Sequence, residues 1–282
     1  MALTFYKFHG AGNDFVLFDN RNGHFGRVST DTQKLIRYLC DRHMGIGADG
    51  VILLGNSGDA DFAMEYYNSD GNPGSFCGNG GRCIVAFAHA LNLVNEKVFF
   101  LASDGYHEAL INHFESNHWD ISLKMKDVSD FYGSKKEYCL NTGSPHLVLF
   151  SKSVSDKDIV REGRKIRYSA RFAPDGINVN FAEVLADNRI RMRTYERGVE
   201  NETMACGTGA TAVALAAWKS GVRSQQNSYK LIANGGELRV SFEPPNTETG
   251  FFSNIWLSGQ VVLVFKGNLL INVDNITQNT TS

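Results

Sequence analysis

The sequence predicts an α+β fold of two pseudo-symmetric units, each a barrel-like, mostly antiparallel sheet around a central apolar helix. Three observations predict it. Short segments rich in Val, Ile, Phe and Tyr alternate with turn clusters, two helical stretches are apolar on nearly every face, and a strand–loop–Cys-Gly-x-Gly–helix pattern occurs twice.

The strand-like segments include Phe15 to Phe18, Val51 to Leu54, Val98 to Leu101, Leu147 to Phe150 and Val261 to Phe265. Helical patterning is confined to Thr32 to Asp41, the run after Cys77, Ser155 to Arg167 and the run after Cys206. Two of these runs, Ile84 to Ala88 and Ala210 to Trp218, carry apolar side chains all round. A helix of that kind in a water-soluble chain must be covered on all sides. Short strands curving around it would supply the cover.

The repeat sets the domain organisation. Met64 to Asn68, a Gly-rich polar turn and Cys77-Gly78-Asn79-Gly80-Gly81 lead into one apolar helix. Ile190 to Tyr195, Glu196-Arg197-Gly198, a polar turn and Cys206-Gly207-Thr208-Gly209-Ala210 lead into the other, 129 residues on, from 77 to 206. The first unit is expected over residues 1–126, completed by 262–282, and the second over 127–261, with the boundary in the polar stretch Lys126 to Lys136. Asn275 to Ser282 is polar enough to form a disordered tail.

With 282 residues, 43% hydrophobic, and a formal net charge of -2, the chain lacks the basic field of a nucleic-acid or membrane-surface binder. The segment Met1 to Phe8 lacks the basic and apolar regions of a signal peptide, and no apolar run is long enough to span a bilayer. A soluble, cytoplasmic protein is expected. Five cysteines, at 40, 77, 83, 139 and 206, show no paired metal-site spacing, so reduced thiols are the default.

For a lone cysteine the ordinary reading is a small buried hydrophobe. Cys40, Cys83 and Cys139 fit it. Cys77 and Cys206 differ because Gly-x-Gly follows each at a helix start, among backbone N–H groups that lack intrahelical acceptors. That setting favours thiolate and offers amides to a carboxylate. Neither has a His or Asp at metal-ligand spacing. Two such thiols, one from each unit, suit an acid/base pair working on opposite faces of one carbon, with coupled titrations.

Further motifs extend the pattern: Phe8-His9-Gly10-Ala11-Gly12-Asn13-Asp14-Phe15, Gly45 to Gly50, Asn68-Ser69-Asp70-Gly71, Pro145-His146, Asn178-Val179-Asn180-Phe181, Tyr195 to Gly198 and Glu202 to Ala210. Together with the two cysteine motifs they resemble the diaminopimelate epimerase family across about residues 5–265.

The resemblance implies conversion of LL-2,6-diaminopimelate to its meso form, without pyridoxal phosphate or any other cofactor or metal, on the route to lysine and peptidoglycan precursors. It implies that Cys77 and Cys206 exchange the α-proton. Gly78 with Asn79, and Gly207 with Thr208, would hold the carboxylate beside the reacting carbon. Arg197 suits the distal carboxylate and Glu196 an ammonium group. Asn13, Asn68 and Asn178 would recognise the distal amino acid, and His146 would orient or polarise the site.

The chain departs from the family pattern at three places. Ser144 stands where many members carry Asn, shorter but still able to hydrogen-bond. Gly50 stands where some members have a substrate-contacting Gln and offers only backbone, and Phe265 occupies a position that is Tyr in some dimeric members. The expected partners are the small-molecule substrate and a second copy in a homodimer, with no nucleic acid and no membrane. Two other readings compete: a proline or hydroxyproline racemase-like enzyme, and a non-catalytic amino-acid binding module. Glu196, Arg197 and the asparagines suit a long substrate with a second zwitterionic end better than a ring amine.

Overall fold

A computed structural model describes residues 2–28, 31–134, 136–224, 226–245 and 250–270. The expected C-terminal tail, Asn275 to Ser282, lies outside the described residues. The chain divides into two compact units, residues 1–123 with 260–282, and 124–259.

In the first unit β1 (Ala2–Gly10), β2 (Asn13–Asp19), α1 (Thr32–Cys40), β3 (Gly50–Gly55), β4 (Phe62–Asn68), α2 (Gly78–Ala90), β5 (Lys97–Ala102), β6 (Gly105–Glu115) and β7 (His118–Lys124) follow in order. The sheet order is the chain order, and β16 (Ser253–Leu270) neighbours β7 and pairs back onto β1, closing eight strands. Most neighbours are antiparallel. Parallel pairing occurs at β2–β3 and β4–β5, where α1 and α2 make the crossovers that parallel neighbours require.

The second unit repeats the plan. It contains β8 (Phe131–Ser134), β9 (Glu137–Asn141), β10 (Pro145–Phe150), α3 (Ile159–Arg167), β11 (Asn178–Val184), β12 (Arg189–Glu196), β13 (Asn201–Thr203), α4 (Gly207–Lys219), β14 (Ser228–Ala233) and β15 (Gly236–Glu243). Its strands run in the order β16-β15-β14-β12-β11-β10-β9-β8, with parallel pairs at β10–β11 and β12–β14, spanned by α3 and α4. Val128 and Phe252, which lead into β8 and β16, exchange both backbone hydrogen bonds at 2.9 Å.

The apolar helices are buried as their composition requires. In α2, Cys83 through Ala88 pack among Phe8, Phe15, Leu17, Ile52, Phe100 and Trp119 of the surrounding strands. In α4, Gly209 through Ala217 are all buried. The outer helices are amphipathic, and each has an aspartate cap: Asp31 accepts from Lys34 N and Asp158 from Arg161 N, both at 3.0 Å. The Asp158 cap starts α3 at Ile159. This corrects the expected start at Ser155, because capping chemistry sets the first turn where apolar spacing is sparse. No helix among the described residues is long and apolar enough to cross a membrane.

Candidate active site

Register brings the motif residues of the first unit to one end of its barrel. Phe15 in β2, Gly50 in β3 and Asn68 in β4 lie side by side, and α2 starts on the return from β4. Asn13 opens β2 and Asp49 precedes β3. In the second unit His146 of β10 pairs with Asn178 of β11, Val179 pairs with Tyr195 near the end of β12, and α4 follows. Short βα crossovers thus gather residues far apart in sequence at the mouth of each helix.

Cys77 and Cys206 are the N-caps of α2 and α4, both extended (φ -113°, ψ 119° and φ -123°, ψ 114°), and each helix has 13 residues. The first intrahelical bonds run from Gly81 N to Cys77 O at 2.7 Å and from Ala210 N to Cys206 O at 2.8 Å. The amides of Gly78–Gly80 and Gly207–Gly209 therefore belong to the open helix turn that favours anions. Gly209 is required by close approach: a Cβ there would lie 2.5 Å from Asn180 Oδ1 and 3.3 Å from Cys206 Sγ.

The second unit holds a directed hydrogen-bond relay behind Cys206. Asn180 Nδ2 donates to Leu147 O at 3.0 Å, and a carbonyl can only accept, so the same nitrogen faces His146 Nδ1 at 3.1 Å as a donor. Thr194 Oγ1 donates to Asn180 Oδ1 at 3.0 Å, fixing the other end of the amide. His146 Nδ1 is then the acceptor, and the ring proton sits on Nε2, 2.9 Å from Thr208 Oγ1. Thr208 accepts that proton and has its own to give, with Cys206 Sγ at 3.5 Å. His146 is fully buried, and burial, then the charge of Arg197, push its pKa down to about 3. It is a neutral imidazole with both nitrogens engaged, which makes it an orienting group.

Ser144, Asn178 and Arg197 form a second cluster. Asn178 Nδ2 donates to Ser144 Oγ at 2.8 Å and Pro145 O at 2.9 Å, and Asn178 Oδ1 accepts from Arg197 N at 2.8 Å. The guanidinium of Arg197 reaches Ser144 Oγ at 3.5 Å. Glu196 accepts from Thr203 Oγ1 at 2.8 Å, and burial holds its carboxyl above the usual carboxylate range.

In the first unit Arg82 Nη2 donates to Asn79 Oδ1 at 2.6 Å, Asn79 Nδ2 to Asn13 Oδ1, and Asn13 Nδ2 to Asp49 Oδ2 at 3.0 Å. Arg42 ties Asp49 at 2.7 Å and Asp14 at 2.8 Å, and Lys7 reaches Asp14 at 2.6 Å. Burial of Asp14 opposes its ionisation, but the bonds from Arg42 and Lys7 outweigh it and lower its pKa to about 2. Asn68 lies at the same barrel end, where its backbone serves the turn, accepting from Gly71 N and donating to Asn72 O at 2.9 Å. Gly50 has no room for a side chain, since a Cβ would come within 2.5 Å of Tyr67 O.

The remaining thiols are set apart by their surroundings. Burial pushes Cys83 far above the ordinary thiol range and Cys40 up to about 12. Cys139 lies on β9, 3.6 Å from Arg171 Nη2, and burial raises it too. Among the described residues no group of three or more His, Cys, Asp or Glu is placed to hold a metal ion.

The family model for diaminopimelate epimerase matches residues 5–127 and 138–264. The chain belongs to the diaminopimelate epimerase family. It is 47% identical over 264 residues to the diaminopimelate epimerase of Flavobacterium psychrophilum, covering 94% of this chain and 99% of that one. It is 39% identical to the diaminopimelate epimerase of Chlorobaculum tepidum, over 93% of this chain and 99% of the relative. Solved structures share the fold at low identity. A Bacillus anthracis phenazine biosynthesis protein of the PhzF family superposes with a TM-score of 0.70 at 14% identity, covering 96% of this chain and all of that one. A hydroxyproline epimerase from Agrobacterium vitis gives 0.65 at 13%, over 95% and 92%.

Within this diaminopimelate epimerase family chain, the structure also engages residues that the sequence reading did not single out. Asn180 orients His146, Asp49 orients Asn13, and Arg82 holds Asn79. A signal existed for two of them. Asn180 is two residues from Asn178 on a strand, and Arg82 is a charge inside an otherwise apolar helix.

Proposed function

We propose that this chain interconverts LL- and meso-2,6-diaminopimelate by two-base proton transfer between Cys77 and Cys206. The thiolate removes the α-hydrogen as a proton and becomes a thiol, while the other thiol protonates the opposite face and becomes the thiolate, so each turnover exchanges their states. The observation that carries this reading is the matched pair of N-cap cysteines, each at the mouth of a buried 13-residue helix in a Gly-x-Gly setting.

In this reading the helix-start amides at Gly78, Asn79, Gly207 and Thr208 hold the reacting carboxylate and stabilise the charge that develops on it. Arg197 and Glu196 receive the distal carboxylate and ammonium, with Asn13, Asn68, Ser144 and Asn178 completing the recognition of that end. His146 acts on Cys206 through Thr208. The enzyme works without cofactor or metal, as a cytoplasmic homodimer on the route to lysine and peptidoglycan precursors.

Incubation with LL-diaminopimelate and, separately, L-proline in deuterium oxide tests the proposal. Deuterium should enter the α-position of diaminopimelate only. Exchange of proline instead would favour a racemase of ring amino acids, and binding of diaminopimelate without any exchange would leave a binding module.

A further inference from the structure

Arg82 is fully buried in the second turn of α2, five residues beyond Cys77. A guanidinium has five N–H groups, and here Nη2 bonds to Asn79 while Nε and Nη1 have no hydrogen-bond partner among the described residues. Leaving a buried cation so poorly paired is costly unless an anion compensates it. Burial acts against the charge of this guanidinium, while Cys83 on its own helix, Cys77 at the helix start and Asp120 on β7 favour it. Burial keeps Cys83 protonated, so beside the Asp120 carboxylate it is Cys77 that can bring negative charge to this guanidinium during turnover.

The same side chain begins an ordered amide chain. Arg82 can only donate and the Asp49 carboxylate only accepts, so both intervening amides, Asn79 and Asn13, are locked in a single orientation. Flipping either one would set donor against donor and acceptor against acceptor.

Building on the proton-transfer reading above, we propose that Arg82 is a positioning residue of the first half of the site. Its buried charge stabilises the Cys77 thiolate, and its hydrogen bond to Asn79 fixes the Asn79–Asn13 pair that faces the substrate.

The test uses the full-length reduced protein carrying Arg82→Gln, Arg82→Lys or Asp49→Asn, with folding checked by circular dichroism. Cys77 alkylation by iodoacetamide is followed against pH by peptide mass spectrometry, without substrate. Arg82→Gln should raise the midpoint of Cys77 reactivity by about one pH unit or more, and Arg82→Lys should return it most of the way. Asp49 is partly exposed, so its variant leaves the core intact. Asp49→Asn should raise KM for diaminopimelate by about tenfold and leave the Cys77 midpoint in place.

An unchanged Cys77 midpoint in folded Arg82→Gln would overturn the charge role. If neither Arg82 variant folds, the wild-type titration decides: a Cys77 midpoint at or above that of an ordinary thiol, about 8.5, overturns the charge role. Failure of the wild type to exchange the α-hydrogen of diaminopimelate sinks the catalytic reading instead, and the substrate-free titration still decides whether Arg82 tunes Cys77.

Discussion

The hydroxyl oxygen of Thr208 lies 3.5 Å from the sulfur of Cys206. His146 donates to that same oxygen, so the Thr208 hydroxyl keeps its own proton to give to the sulfur when Cys206 is ionised, and that bond stabilises the thiolate.

Thr208→Val should therefore raise the pH at which Cys206 becomes alkylated and lower kcat by about 10²-fold, whereas Thr208→Ser should keep both close to wild type. Asn180→Leu should act in the same direction, since it releases the His146 tautomer. A Thr208→Val enzyme with an unaltered pH–rate profile would remove the relay from the mechanism.

Replacing either N-cap cysteine should have a much larger effect than replacing any other. Cys77→Ala and Cys206→Ala are each expected to lower epimerisation by about 10²–10⁴-fold, and Cys139→Ala to leave it within about twofold. Optical rotation and chiral chromatography of the product measure this. Comparable losses from all three would show that the thiols serve the fold alone.

His146 should leave a signature in stability. Its pKa is about 3 when folded, against an ordinary value near 6.5, so between those limits the unfolded chain binds a proton that the native protein does not. Stability therefore falls as pH drops from about 6.5 towards 3, by up to about 1.4 kcal/mol per pH unit from this group. Urea denaturation at several pH values should show the slope in wild type and its reduction in His146→Gln.

Gly209→Ala should be destabilising by about 1–3 kcal/mol, because the new methyl group would press on Asn180 Oδ1 at the core of the relay. The loss should appear both in the urea midpoint and in kcat. Gly221→Ala meets no neighbour within 4 Å, but its φ of 95° also disfavours a side chain, so it reports backbone strain without the steric contact.

Much of this could be read from residues in order. The all-round apolar runs after Cys77 and Cys206 could only be buried helices, and the Cys-Gly-x-Gly motif placed each sulfur at a helix start, as α2 and α4 show. Those are local properties: periodicity and backbone permissiveness act within a few residues. The parallel pairs β2–β3, β4–β5, β10–β11 and β12–β14 were not legible, because pairing depends on strands that meet only after the crossovers fold.

By itself, the sequence determined the α+β class, the duplicated plan, the two cysteine-capped helix starts and the family. Only the tertiary structure decided which polar side chains act together. Asn180 reaches His146 across neighbouring strands, and Asn13 meets both Asp49 and Asn79, 36 and 66 residues away. Hydrogen bonds are short and directional, so no pattern along the chain can assign their partners until register and burial have fixed each side chain in space.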